Sequence, residues 1–359
     1  MVNNRYFYYL LILNALVNSI NFIPRTLINN DGSLVAIIIS VVIGTLLIYF
    51  FTKLIRHFPG MDLPEILTPV FPKLIKNGLI LIFSMHWYIF GAITLVSLVD
   101  ITHRFITPDV NQYVLTTGLL LLVILACQIE SYSVLSMAET IVVINIPLIL
   151  YFFIKMLINE WFSWETVMEV ITNSADIPPY SSIAASTFVF TGYINLVVFN
   201  RLFKELKVKK LWIISLVGFL LLLLSFLVPI GYNGIHGSRH LIYPWISTAD
   251  SVRVVFSIIE RLLFVFYLFY ITIALTAIIL YWHVGLRMLQ SIFFKKTSNE
   301  FKLKNYVLLG VFAAFAYYMV SLDQFTFLQI GTWFIRIRFF SEIFLLFVLF
   351  YAVRRVKKA

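Results

Sequence analysis

Three asparagines near the N-terminus lie on one stripe within an apolar segment of the chain. Asn14, Asn18 and Asn21 are spaced at i, i+4 and i+7, with Ser19 beside them, so on a helix they share one face. Each carboxamide has donors and an acceptor that need partners wherever water is excluded. The stripe is therefore expected to face protein or a water-filled cavity, where it could bind a polar solute.

A second apolar segment, residues 183–200, is interrupted in the same way. Thr187, Thr191, Gly192 and Asn195 lie in its middle. Glycine permits a helix to unwind and another group to approach closely, and free N–H groups at a half-helix start would suit an anion. Two interrupted spans at matching positions in two halves of a membrane protein indicate a transporter-like binding site.

The composition decides the class of protein that carries these segments. The chain has 359 residues, of which 61% are hydrophobic and 12% charged, whereas soluble domains are about 25% charged. This is the composition of an integral membrane protein in the lipid bilayer. The formal net charge of +10 is explained by basic cytoplasmic loops better than by nucleic-acid binding. A single cysteine and the histidine spacing predict no disulfide, no metal site and no cofactor.

Ten segments are long enough, or nearly so, to cross a bilayer as helices, which takes about 20 apolar residues. They are residues 6–23, 34–52, 78–99, 113–128, 137–158, 183–199, 211–230, 254–283, 304–322 and 332–353. The fold class predicted is all-α, with about ten transmembrane helices in a single domain, 1–359. Two repeats of five helices, about 6–158 and 183–353, make the interrupted first and sixth helices equivalent, as an inverted repeat requires.

The loops set the predicted orientation. With the N-terminus in the cytoplasm, 19 of the 27 Lys and Arg residues fall at the cytoplasmic side, and every second loop is basic. This distribution follows the positive-inside rule and places both termini in the cytoplasm.

Short motifs along the chain carry a family resemblance. They are Pro24-Arg25, His57-Phe58-Pro59-Gly60, Leu63-Pro64-Glu65, Tyr243-Pro244-Trp245-Ile246, Ile259-Glu260-Arg261 and the basic tail that begins at Arg354. In this order they resemble the B subunit of the GerA-type spore germinant receptors, a branch of the amino acid–polyamine–organocation superfamily. The resemblance implies a LeuT-like fold in the spore inner membrane, with A-type and lipoprotein C-type subunits as partners. It also implies a small nutrient, such as an amino acid, as ligand.

The ligand-binding candidates on the two interrupted spans each have a second interpretation. Asn18 and Ser19 could form a ligand wall, or could hydrogen bond to a neighbouring helix and hold the bundle together. Thr191, Gly192 and Tyr193 could bind the ligand at an unwound segment, or could permit a tight helix contact.

Further candidates lie on the third and eighth spans. Tyr88 and Gly91 belong to the span that lines the pocket in LeuT-like folds, although a packing seam explains them equally well. Thr276 could contribute a hydroxyl, but such hydroxyls often bond to their own helix. Glu260 and Arg261, at the predicted start of the eighth span, are expected to form a gating or structural charge pair.

Two functions remain open from the sequence. The first is a nutrient-sensing receptor subunit, and the second is a secondary amino-acid transporter coupled to H⁺ or Na⁺. Coupling usually needs a carboxylate or an oxygen cage within the membrane, and Glu260, the only plausible acidic candidate, lies toward one end of its span, which favours the receptor. Arg338 and Glu342, at i and i+4, are interpreted as a pair within the last helix. The resemblance also favours the receptor. No catalytic motif indicates an enzyme.

Overall fold

The computed structural model shows an all-α membrane protein with one short β-hairpin. It describes residues 2–172, 176–256, 259–293 and 300–356, with only the backbone described for 253–261 and 300–303. The helices of the first half are α1 (Arg5–Ile20), α2 (Phe22–Ile28), α3 (Ser33–Ile55), α4 (Leu63–Leu67), α5 (Lys73–Ile101), α6 (Gln112–Ala126) and α7 (Ser131–Leu157). Those of the second half are α8 (Trp164–Thr172), α9 (Tyr180–Thr187), α10 (Leu196–Phe199), α11 (Leu211–Arg239), α12 (Pro244–Ser251), α13 (Leu262–Phe293), α14 (Glu300–Val320) and α15 (Gln324–Val356). A π turn (Thr102–Ile106), the hairpin strands β1 (Arg253–Phe256) and β2 (Ile259–Arg261), and a short 3-10 turn (Asn200–Leu202) complete the regular structure.

The first predicted span is broken, and a proline explains where. Pro24 has no N–H, so the carbonyl of Ile20, four residues earlier, receives no helical hydrogen bond from it, and the proline ring crowds that carbonyl. The helix ends at Ile20, Asn21 leaves helical geometry with φ −79° and ψ −99°, and α2 continues at an angle of 51° to α1. The predicted first span is thus two short helices at an angle rather than one straight helix.

The sixth predicted span is also irregular. Between α9 and α10 the chain forms a 3-10 helix over Phe188–Asn195, here called the 3-10 segment. Runs of 3-10 helix longer than three or four residues are uncommon and often mark a hinge. Eight consecutive residues have this geometry, with Gly192 among them, at the position where the sequence predicted an interruption.

The two irregular regions pack against each other at the centre of the molecule. α1 lies along the 3-10 segment, α3 packs on α9 and α11, and α13 packs along α5 and α7. Among the described residues, six helices are long and apolar enough to cross a membrane, and the bent α1–α2 pair could be a seventh. α6 and residues 304–320 of α14 are shorter apolar helices.

Several helix bounds differ from those predicted. α15 begins at Gln324, eight residues before the predicted start, because Gln324, Thr326 and Gln329 lower the hydropathy of its first turns. α13 begins at Leu262, after the hairpin, so Glu260 and Arg261 precede the eighth span rather than opening it.

Candidate functional site

The asparagines of α1 hydrogen bond to the 3-10 segment. Asn14 Nδ2 donates to the backbone oxygen of Phe188 and to Thr191 Oγ1, both at 3.0 Å, and Asn18 Nδ2 donates to the same Phe188 oxygen at 3.4 Å. Asn14 Oδ1 accepts a hydrogen bond from the Tyr281 hydroxyl at 3.0 Å. Since Asn14 and Asn18 are 2% and 3% exposed, these bonds satisfy amides that water cannot reach.

Gly192 brings the two backbones close enough for those bonds. A Cβ atom at this position would lie 2.5 Å from the backbone oxygen of Leu10 and 2.6 Å from the Cα of Leu11. Any side chain there would push α1 away from the 3-10 segment. The glycine thus serves the close contact between the two interrupted spans.

A buried ion pair from α15 reaches the same region. Arg338 Nη1 lies 2.7 Å from Glu342 Oε1, and the two side chains are 4% and 3% exposed. Arg338 Nη2 donates to the backbone oxygen of Ala184 at 2.6 Å and to Thr187 Oγ1 at 3.1 Å. The guanidinium therefore lies at the C-terminal end of α9, where the helix carries partial negative charge.

The carboxylate of Glu342 faces the C-terminal part of the 3-10 segment. The Tyr193 hydroxyl donates to Glu342 Oε2 at 3.5 Å, at the limit of a hydrogen bond, and the Tyr193 ring packs against Phe51. The pair thus contacts the chain on both sides of the 3-10 segment, at its beginning through Arg338 and near its end through Glu342.

Aromatic side chains fill the space beside this pair. The Phe188 ring lies 4.4 Å from the Arg338 guanidinium carbon and 4.6 Å from the Phe90 ring, and the Phe90 ring stacks on Tyr281 at 4.1 Å. A cation over an aromatic face is attracted to it, the more so away from water. The centre of the bundle is therefore built from amides, rings and one ion pair.

Other polar residues of the two spans have protein partners too. Asn21 Oδ1 accepts from the Tyr270 hydroxyl at 2.7 Å, and Asn195 Oδ1 accepts from Trp87 Nε1 at 2.8 Å. Ser19 Oγ donates to a carbonyl of its own helix, which is a local bond rather than a contact across the site.

A separate polar cavity of about 420 Å³ lies between α2, α9 and α15. Arg25 and Arg336 both line it, together with Ser181 and Thr332. Each guanidinium has one buried nitrogen without a hydrogen-bond partner among the described residues, Nη1 of Arg25 and Nε of Arg336. The cavity is accordingly electropositive and suited to a solute that carries negative charge.

The structure brings together some of the predicted ligand-binding residues. Asn18, Thr191 and Gly192 meet at the contact of α1 with the 3-10 segment, and Tyr193 joins them through the ion pair. Ser19 lies on the same turn of α1, and its backbone oxygen accepts a hydrogen bond from Ser225 of α11 at 2.6 Å.

The remaining predicted residues lie elsewhere. Tyr88 packs on Trp282 and Phe312 and so faces α13 and α14, whereas Gly91 lies against the Trp282 ring of α13. Thr276 donates to the backbone of its own helix at 2.8 Å. The side chains of Glu260 and Arg261 lie outside the described residues.

The sequence analysis missed Phe188 and the importance of the Arg338–Glu342 pair for this site. The sequence did indicate the Arg338–Glu342 pair, because ionisable residues inside an apolar helix normally mark a functional position. Phe188 had no such signal, since one phenylalanine among 35 is indistinguishable by type. Within the described ranges, no three His, Cys, Asp or Glu side chains approach one another closely enough to hold a metal ion.

One comparison with known proteins identifies the family of the chain. No individual curated protein matches the chain significantly. The sequence pattern of a membrane protein family, described as spore germination protein, matches residues 2–327. That match covers most of the 359 residues, including α1, the 3-10 segment and the beginning of α15. The chain therefore belongs to the spore germination protein family.

Proposed function

We propose that the chain is the nutrient-sensing subunit of a spore germinant receptor and binds a small solute, such as an amino acid, between its broken first and sixth helices. The observation that carries this proposal is the direct contact of Asn14 and Asn18 with Phe188 and Thr191 at the 3-10 segment. Backbone groups in an irregular segment and side-chain amides are the kind of polar groups that orient a small ligand.

Sensing requires two states that the ligand distinguishes. In the state described, the amides of α1 hydrogen bond to the 3-10 segment. A ligand with its own carboxylate, ammonium or amide groups exchanges with these bonds and favours a state in which the two half-helices are further apart. Partner subunits then respond to the movement of α1 and α9.

The polar cavity attracts a negatively charged solute to this side of the protein. Arg25 and Arg336 line it, and a nutrient that carries a carboxylate would be attracted to their partly exposed guanidinium groups. Arg338 lies on another face of α15, because residues two apart on a helix do not share a face, and it contacts the end of α9. A carboxylate of the ligand could replace that of Glu342 on Arg338.

The proposed architecture is a LeuT-like bundle of ten spans. The α1–α2 pair, α3, α5, α6, α7, the span 180–202, α11, α13, α14 and α15 supply the ten, and they divide into repeats of about 6–158 and 183–353. Both termini lie in the cytoplasm, by the distribution of basic residues. The chain lies in the spore inner membrane with A-type and lipoprotein C-type subunits.

One observation favours a second function, secondary transport of a similar solute. Glu342 is a buried carboxylate near the middle of α15, where coupling to H⁺ or Na⁺ needs an acidic group. Its pairing with Arg338 at 2.7 Å favours a structural charge pair over an ion carrier. Uptake of labelled amino acids by vesicles that contain only this chain separates the two functions, because uphill accumulation would contradict a receptor without transport.

The receptor proposal is tested in spores that lack this chain, over a panel of amino acids, sugars and nucleosides. We expect one nutrient response to be lost and to return with the intact chain. Asn18→Ala and Thr191→Val should raise the nutrient concentration for half-maximal response about tenfold each, the effect of one hydrogen bond. Thr140→Ala is the control, because this exposed hydroxyl bonds only to its own helix. An unchanged response to every nutrient in the deletion strain would contradict the proposal.

A further inference from the structure

A second cavity, distinct from the proposed nutrient site, opens between α1, the 3-10 segment and α11. Its volume is about 350 Å³, and apolar side chains form most of its wall, among them Leu11, Ala15, Phe190, Ile214 and Val217. This volume lies at the lower end of the range for ligand sites. The cavity offers almost no hydrogen-bonding groups in its interior, so it does not suit an amino acid.

The mouth of this cavity is basic. Lys209 and Lys210 lie at its edge with Tyr8, and both lysines are exposed. Neither ammonium group forms an ion pair with a carboxylate in the part of the chain that the structure describes. Two positive charges therefore flank an apolar opening, which is the arrangement that an amphipathic anion requires.

The protein holds these lysines at the mouth through its backbone. The Tyr8 hydroxyl donates to the Lys209 carbonyl at 2.8 Å and accepts from the Lys209 N–H at 3.0 Å. Lys210 has a positive φ of 56°, a conformation that costs a non-glycine residue roughly 1 kcal/mol and persists only where surrounding contacts impose it. The peptide at the mouth is thus fixed by α1.

We propose that this cavity binds one acyl chain of an anionic phospholipid, whose head group lies between Lys209 and Lys210. Charge complementarity selects an anionic head group over a zwitterionic one. In the orientation proposed above, the mouth faces the cytoplasmic leaflet, which carries anionic lipids. Trp212 and Leu216, exposed on α11 next to the cavity, place the opening on a surface suited to the hydrocarbon of the bilayer.

The bound chain contacts both interrupted spans. Leu11 and Ala15 belong to α1, and Val189 and Phe190 to the 3-10 segment. Movement of α1 away from the 3-10 segment therefore changes the shape of the lipid site. This binding goes beyond nutrient sensing, since the lipid occupies a different cavity and can be measured without any nutrient.

The test is native mass spectrometry of the delipidated full-length chain, titrated with phosphatidylglycerol and with phosphatidylcholine of the same acyl chains. We expect tighter binding of phosphatidylglycerol, and a loss of about fivefold for each lysine in Lys209→Gln/Lys210→Gln. Lys204→Gln/Lys207→Gln removes the same charge from the same loop without touching the cavity and should leave the affinity within about twofold. Equal losses in both double variants, or equal binding of the two lipids, would overturn the anionic assignment.

A bulky substitution tests the acyl-chain cavity itself. Val217→Phe, at a position 40% exposed, fills the opening and should abolish binding of both lipids. Val143→Phe adds the same bulk at a 50% exposed position of α7 outside the cavity and should not. Ile213→Phe, also at the cavity wall, provides a second blocking variant if the first does not fold. Undiminished lipid binding in a folded blocking variant would refute the site, whatever the nutrient response of the spores.

Discussion

Removing the buried ion pair of α15, one partner at a time and then together, gives the sharpest prediction. Arg338 and Glu342 are both nearly inaccessible, and Arg338 also donates to the Ala184 carbonyl and the Thr187 hydroxyl. Breaking a buried pair by removing one partner costs about 3–5 kcal/mol, because the other charge stays buried without compensation. We expect Arg338→Met to fall in that range. Glu342→Leu should cost about 2–4 kcal/mol, because the remaining guanidinium still has the end of α9 as a partner.

The double substitution is the informative one. With both charges gone, the buried volume is filled by apolar side chains, and the cost should fall to about 1–3 kcal/mol. The coupling energy in the double-mutant cycle should therefore be at least about 2 kcal/mol. The free energy of unfolding of the purified chain, measured by equilibrium unfolding in mixed micelles, supplies the four values.

A second ion pair of the same chain is the matched control. Arg5 Nη2 and Glu139 Oε1 are 3.0 Å apart, but the arginine side chain is 58% exposed, so their coupling energy should be below about 1 kcal/mol. Additive costs at Arg338 and Glu342, or a coupling no larger than that of the exposed pair, would refute the claim that the two buried charges stabilise the fold as a pair.

Three further predictions concern single positions. Gly192→Ala should destabilise the chain by about 1–3 kcal/mol, because its Cβ would collide with the backbone of α1. Gly310→Ala, a helical position with open space around the added Cβ, should be neutral or stabilise by up to about 1 kcal/mol in the same unfolding assay. Asn14→Leu should cost about 1–3 kcal/mol, because buried groups lose their partners, and an unchanged stability would contradict the hydrogen bonds described. The Thr326 N–H and hydroxyl hydrogen bond to the Asp323 carboxylate at the start of α15 and lower its pKa below the ordinary 3.8. The stabilisation is complete above that ordinary value and is lost as the pH falls through the lowered pKa. The protection factor of the Thr326 amide against hydrogen exchange, taken relative to the intrinsic rate at each pH, should therefore fall only in that acidic range.

Much of the architecture was predictable because the strongest signals are local. Pro24 must end a helix about four residues before itself, and the break is found after Ile20. The spacing of Asn14 and Asn18 predicted a polar face that needs protein partners, and both amides have them. These inferences depend on backbone chemistry within a few residues and need no knowledge of which helices become neighbours.

The contacts across the bundle could not be predicted in the same way. Tyr88 fits a pocket-lining residue by spacing, yet its direction depends on how α5 rotates against α13, which no local pattern encodes. Arg338 and Glu342 are separated by one helical turn, which predicts a pair equally well on a solvated or a buried face. Only the fold shows that α9 ends beside them. That contact explains why a charged pair is buried at this position of α15.

The side chains around the 3-10 segment also indicate how a sensor of this kind would set its threshold. The Phe188 carbonyl accepts hydrogen bonds from Asn14 and Asn18, and the end of α9 accepts from Arg338, so the closed arrangement is satisfied by the protein itself. A ligand must compete with these internal bonds, and its apparent affinity is reduced by the fraction of molecules that are open. Substitutions that weaken only the internal bonds should therefore lower the nutrient concentration required. Asn18→Ala and Thr191→Val also remove the proposed ligand contacts, and we expect that loss to outweigh the internal bond lost and to raise the concentration. Opposite shifts from neighbouring residues would be hard to reconcile with a rigid, permanently open pocket, and they follow directly from a site that closes on its own side chains.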